Sequence, residues 1–164
     1  MPAAPSPKTG KASAVQATGE CVCGAVRLEI DVPAFWAWHD HSAATRRAQG
    51  SAYATYVGTW RSRLRILQGS DCITRFEDAE AGTARSFCAG CGTPLLFERE
   101  PEGKMINLPR ALFTDRTGRE PRYHRHMGEM AEWIWTGEAV VPLKGYPGVM
   151  WERPGRKNRP EPDF

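Results

Sequence analysis

No stretch of this 164-residue chain approaches the roughly 20 consecutive apolar residues that a membrane-spanning helix needs. The opening MPAAPSPKTGKASAVQATGE lacks the apolar block that marks a secretory signal. Both absences lead to the expectation of a soluble, cytoplasmic protein. Charge of one sign is scarce as well. The net charge is only +3, and Lys8, Lys11, Arg153, Arg156, Lys157 and Arg159 carry part of it among prolines and glycines near the two ends. A nucleic-acid interface needs a concentrated basic face, so nucleic acid is not an expected partner.

Cysteine is sparse. Five residues cannot all pair within one chain, and in a reducing compartment thiols serve metals or catalysis more often than disulfides. The length suits one domain with a real core and is short for two. Residues 1–18 are rich in Pro, Ala, Ser, Gly and Lys without apolar periodicity. They read as a disordered leader, and residues 153–164 (RPGRKNRPEPDF) as a disordered tail, because such segments bury too little surface to offset the entropy of ordering. The domain is expected over residues 19–152.

Within it, apolar residues alternate more than they recur at three or four positions. Val26, Leu28, Ile30 and Val32 occupy every second place, as one face of a strand requires. Further strands are expected at Ala52–Val57, Leu64–Leu67, Cys72–Phe76, Ala84–Phe87, Pro94–Phe97 and Met105–Leu108, most of them separated by Gly58, Gly69, Gly82, Gly92 or Gly103. Ala43–Gln49 reads as a short helical turn and Trp133–Trp135 as a late strand or turn. With no internal repeat or low-complexity block, the pattern predicts an antiparallel, mainly β fold with little helix.

The cysteines carry the strongest chemical signal. In GECVCGAV, Cys21 and Cys23 are two apart, so in an extended chain both sulfurs project to one side. In FCAGCG, Cys88 and Cys91 flank a small turn that Gly92 follows. Together they offer the four soft ligands of a closed tetrahedral zinc site, a better account of two paired, turn-flanked spacings than buried thiols or disulfides. Such an ion would clip the first strand to a late hairpin. Cys72 stands alone in a strand-like run and reads as a small buried apolar residue.

These residues carry a resemblance. GECVCGAVRLEI, DHSAATRRAQGSAYATYVG, SFCAGCGTPLLF and PRYHRHMGEMAEWIWTGEAVVPLKGYP resemble, in order and spacing, the glutathione-dependent formaldehyde-activating enzyme family, which includes centromere protein V. The resemblance covers about Thr18 to Pro147. It implies an Mss4-like β-tent of stacked antiparallel sheets, with Cys21, Cys23, Cys88 and Cys91 as structural zinc ligands. It also places His124 and Trp133 at the family's late His and Trp, and Arg46, Arg47 and Gly50 at the end of its middle motif.

The chain departs from the family inside that motif. Active members carry Cys-His-Cys-x-x-Cys, whose thiolates hold a second, catalytic zinc; here the same places are Asp40, His41, Ser42 and Thr45. Ser and Thr hydroxyls do not replace thiolates, so the three-sulfur site cannot form. His39, Asp40 and His41, helped by His124 or His126, are the residues from which a substitute site could be improvised. HDH nevertheless reads as a solvated loop and HRH as a surface strand, because sequence neighbours seldom converge on one ion. Phe35, Trp36, Trp38, Trp133, Trp135 and Trp151 could line a cleft or fill the core. Arg46 and Arg47 could grip a carboxylate of a glutathione-like ligand or lie solvated at the surface.

Two functions compete on this reading. One is a carbon–sulfur lyase that adds formaldehyde to the thiol of glutathione, as the resemblance implies, with zinc at the cysteine cluster and the second ion absent. The other is a non-catalytic, zinc-stabilised module that binds a small molecule, such as glutathione or another small thiol, or a protein partner.

Overall fold

The computed structural model describes residues 15–101, 103–134 and 140–152. In chain order it contains β1 (Gln16–Glu20), β2 (Arg27–Asp31), β3 (Trp36–Asp40), α1 (Ala43–Gln49), β4 (Ala54–Trp60), β5 (Leu64–Gln68), β6 (Ile73–Asp78), β7 (Thr83–Cys88), β8 (Pro94–Glu98), β9 (Met105–Pro109), β10 (Tyr123–Arg125), β11 (Val140–Pro142) and β12 (Val149–Glu152). A three-stranded sheet has the order β1-β2-β5, and a nine-stranded sheet the order β11-β12-β10-β3-β4-β9-β8-β7-β6. The fold is mainly β, as the alternation predicts, and its strands form two sheets, as the resemblance implies. Every pairing is antiparallel except β10 with β3, which run parallel.

Period-two alternation sets what each face buries. Leu28 and Ile30 point inward from β2, while Glu29 and Asp31 point outward and both pair with Arg65. The inner face of the large sheet supplies Ala37, Val57, Leu95, Ile106 and Leu108, and these pack with Ala17, Val26, Leu28 and Ile30 in one core between the sheets. Burial of each larger aliphatic side chain stabilises by roughly 1.5–3 kcal/mol. The outer face carries a second, aromatic cluster of Trp38, Ala54, Tyr56 and Phe97, with Trp36 and Tyr123 against it. Trp36 lies so close over its strand partner Gly58 that a Cβ there would sit 2.8 Å from the indole.

α1 spans the residues read as a helical turn. Ser42 caps it by accepting from the Thr45 N–H, and Gly50 closes it in the left-handed conformation at φ 60°. Three segments differ from the sequence reading. β1 takes in Gln16, Ala17 and Thr18, which had been assigned to the leader. The HDH segment is not a solvated loop: His39 and Asp40 belong to β3, and Asp40 and His41 are buried. HRH begins in β10, but His124 faces inward and is buried. β3 and β10 hold too few aliphatic residues to read as strands on their own; pairing with each other and with β4 and β12 makes them so. Trp135 and the tail from residue 153 lie outside the described residues.

Glu98, at the end of β8, is a carboxylate only 1% exposed. It accepts from Arg61 at 2.7 Å and also from Arg75, so one buried anion ties the start of the β4–β5 connection to β6. Both arginines are about one-third exposed or more, so they can rehydrate when the anion is lost, and the cost falls below that of stranding a fully buried charge. Glu98→Gln is expected to lower stability by about 1–3 kcal/mol, read as a shift in the urea midpoint at unchanged slope.

Candidate metal centres and ligand cleft

Cys21 and Cys23 lie in the connection from β1 to β2; Cys88 ends β7 and Cys91 lies in the turn to β8. Gly24 and Gly92, each one residue beyond a pair, take φ of 73° and 72°. That left-handed turn folds the backbone back, and the Gly24 and Gly92 amides donate to the Cys21 and Cys88 carbonyls at 2.9 and 2.8 Å. The four sulfurs come within 4.8 Å of one another. Cys21 and Cys23 are 3.5 Å apart, and Cys23 and Cys88 3.8 Å. Metal–sulfur bonds of about 2.3 Å in a tetrahedron require edges of about 3.8 Å, so the cluster can hold a metal ion with little adjustment.

Neighbouring dipoles prepare it for one. The Val26 N–H donates to the Cys21 sulfur at 3.3 Å. Thr93 accepts from the Val22 N–H at 3.1 Å, which leaves its own hydroxyl proton to point at the Cys91 sulfur, also 3.1 Å away. The Thr93 hydroxyl, followed by backbone amides, holds the Cys91 thiol down at about 5. At Cys23 the Ala25 amide favours the thiolate but is outweighed by Cys91 and then Cys21, which push the thiol up to about 12. The cluster therefore retains a proton that a cation would expel. Cys72 stands outside the cluster; Asp71 beside it, then burial, raise its thiol and leave it inert.

Asp40, Ser42 and Thr45, the positions where the resemblance puts three thiolates, do converge at the start of α1. Asp40 accepts from the Ser42 N–H at 2.9 Å, and Ser42 is occupied as the helix cap. Thr45 is buried and accepts from the Arg85 guanidinium at 3.2 Å. Arg85 also donates to the Tyr56 hydroxyl at 3.2 Å and lies 4.3 Å over the Phe97 ring. A fixed cation thus stands beside hydroxyls already in use, and these residues do not fit a three-thiolate metal centre. Asp40, Ser42 and Arg85 instead line a cavity of about 320 Å³ with Arg99, Asp78 and His126. On the same outer face, Trp36, Trp38, Tyr123 and Arg125 line a second cavity, of about 380 Å³. Burial, then Arg99, press the Arg125 guanidinium below its usual range, so an anionic guest would relieve it.

The inner face of the same strands carries a different group. β3 and β10 place His39 beside His124, their rings 4.7 Å apart, and His41 stacks on His124 at 5.2 Å. His41 Nε2 lies 2.9 Å from His124 Nδ1, and His124 Nε2 lies 3.2 Å from Glu152 Oε1. Burial, then His124, then His39 pull His41 down to about 4, so it is neutral near pH 7. Burial and then His124 likewise lower His39.

The remaining candidates separate. Arg46 donates to the Glu129 carbonyl at 2.9 Å and to the His41 carbonyl at 3.3 Å, tying α1 to the segment after β10, while Arg47 is exposed. Trp133 is 73% exposed in a turn and Phe35 packs on Trp60. Trp36 and Trp38 are the two candidate aromatics that line a cavity described above. Sequence reasoning missed Arg85, Arg99 and Glu152. The signal for Arg85 was its place in an alternating strand, directly opposite Phe97.

Cys88→Ser is expected to lose the ion and leave a largely unfolded or aggregated chain, since binding at such a site supplies about 10 kcal/mol of folding energy. Circular dichroism with elemental analysis checks it; a well-folded, metal-free Cys88→Ser protein contradicts it. Thr93→Val should keep the fold and weaken metal binding by about 10–100-fold. Affinity should rise with pH, because each ion expels thiol protons, and chelator competition at two pH values measures this. Cys72→Ala should cost about 1–2 kcal/mol at most and leave metal content unchanged.

Comparison with known proteins bears on the fold and on the family. A crystal structure of a Rhodobacter sphaeroides protein is similar, at 22% identity and a TM-score of 0.50 over 60% of this chain and 89% of that one, a likeness that speaks to the fold alone. No curated protein matches the chain. The sequence pattern described as glutathione-dependent formaldehyde-activating enzyme matches residues 16–129, a span that holds the cysteine cluster, the start of α1 and His124. That span is more than half of the sequence, and the chain belongs to the glutathione-dependent formaldehyde-activating enzyme family.

Proposed function

We propose that this chain is a zinc-stabilised binding member of the family, which holds a small anionic molecule such as glutathione in its outer-face cleft without catalysing the formaldehyde reaction. Four thiolates in a closed tetrahedral arrangement suit zinc, a soft-ligand ion without redox chemistry of its own. A reducing, cytoplasmic compartment keeps those thiols available. The observation that carries the reading is the Arg85 guanidinium bonded to Thr45. It puts a positive charge where the lyase chemistry needs a thiolate-bound metal to activate the incoming thiol.

The same charge suits a different task. Arg85 and Arg99 line the cavity of about 320 Å³ together with Asp40 and Asp78. A molecule bearing both carboxylate and ammonium, as the γ-glutamyl end of glutathione does, meets complementary groups there. No proton transfer or covalent step is required of these residues; they bind and orient.

Glutathione is expected to bind in a calorimetric titration, with Arg99→Ala weakening it about 5–30-fold, the loss of one charge-assisted hydrogen bond. The unmodified protein should not accelerate formaldehyde–glutathione condensation over the spontaneous rate. Asp40→Cys, Ser42→Cys and Thr45→Cys together should add about one thiolate-bound ion per chain once Arg85→Met also removes the competing cation. Clear glutathione-dependent turnover by the unmodified chain would overturn the reading.

A further inference from the structure

We propose a second metal site on the opposite, inner face of the large sheet, in which His39, His124 and Glu152 bind a divalent ion of the zinc or cobalt class. It is separate from the cysteine cluster and does not depend on the binding reading, whose residues project from the other side of β3. One ligand atom from each of the three side chains falls within 4.8 Å of the others. Two imidazoles and one carboxylate are a donor set that holds zinc with a position left open.

Strand geometry converges these residues from distant parts of the chain. Parallel pairing sets His124 beside His39. Antiparallel pairing sets His124 opposite Met150, and Glu152, two residues on, projects from the same face. Ligands about 2.0–2.1 Å from a tetrahedral ion lie roughly 3.3 Å apart. His124 Nε2 and Glu152 Oε1 are 3.2 Å apart. His39 Nδ1 meets the Thr55 hydroxyl at 2.9 Å and Nε2 meets the Pro121 carbonyl at 3.2 Å, so an ion at Nε2 displaces that carbonyl bond while Nδ1–H donates to Thr55.

The surroundings are those of a supported site. Metal-bound histidines pass their other ring nitrogen to a hydrogen-bond partner that fixes the tautomer; His39 has Thr55 and His124 has His41 in that place. His41 is fully buried and its Nδ1 has no partner. An ion on His124 Nε2 requires the tautomer whose proton sits on Nδ1, which donates to His41 Nε2, and His41 then carries its own proton on Nδ1. His124 is buried, whereas the Glu152 side chain is 35% exposed and gives the ion a way in. Glu152 lies beyond residues 16–129, the span that matches the family.

The test uses full-length protein with its cysteine cluster filled by zinc, titrated with cobalt(II). One further equivalent should bind, with ligand-field absorption but no thiolate-to-metal charge transfer. Glu152→Gln and His39→Ala should weaken it more than about 100-fold, and Thr55→Val, one shell out, by about 10–100-fold. His126→Ala should leave this cobalt uptake intact, because His126 lines the outer cleft rather than this site. Glu152→Gln preserves size at a partly exposed position, so it decides the matter even where His39→Ala fails to fold. No cobalt uptake, uptake that Glu152→Gln leaves intact, or charge-transfer bands marking exchange into the cysteines would each overturn the proposal.

Discussion

One corner between the two sheets is set by four sulfurs that come within 4.8 Å of one another. Cys21 and Cys23 sit in the connection between two strands of the small sheet and Cys88 and Cys91 at the turn between two strands of the large one, and Cys23 and Cys88, 3.8 Å apart, are 65 residues apart in sequence. Without a cation the sulfurs share protons unevenly, Cys91 ready to give one up and Cys23 reluctant. An ion converts that tension into a crosslink between sheets. The apolar core between them is then enclosed from a fixed corner rather than by surface burial alone.

Once the sheets are fixed, strand parity divides the chemistry. Along β3, Trp36, Trp38 and Asp40 go to the outer face, and Ala37 and His39 to the inner one, with His41 following. Tyr123 and Arg125 join the outer set from β10, and His124 the inner set. One face therefore gains an aromatic and cationic cleft, the other a histidine and carboxylate group. A one-residue slip in β10 would exchange the two sets, which is why the parallel pairing with β3 matters to both sites.

Much of the architecture was legible because it depended on local pattern. The alternation of Leu28 and Ile30, the glycine-punctuated strands β5 to β9 and the capped turn at Ala43–Gln49 all read directly. β3 and β10 did not, because aromatic and histidine residues took the places where aliphatic residues announce a strand. Cys21 and Cys23 reach one centre from a turn rather than from extended chain, whereas the same two-apart spacing does place His39 and the following His41 on one face of β3. Sequence also separated Asp40 from the histidines incompletely: alternation turns its carboxylate to the outer face, where it lines the cleft. Arg85 and Glu152 were illegible for a different reason. Each becomes functional through a partner on another strand, Thr45 across the fold and His124 across a sheet pair, and such partnerships leave no spacing to read.

The cysteine cluster is asymmetric in one further respect. Cys21 and Cys88 are buried, while Cys23 and Cys91 are exposed. An ion held there would have two of its ligands enclosed and two within reach of solvent, so a competing thiol or chelator would meet it first at Cys23 and Cys91. The same open side is where oxidants meet the thiolates first, so loss of the ion would begin at Cys23 and Cys91 while the buried pair still held the corner together.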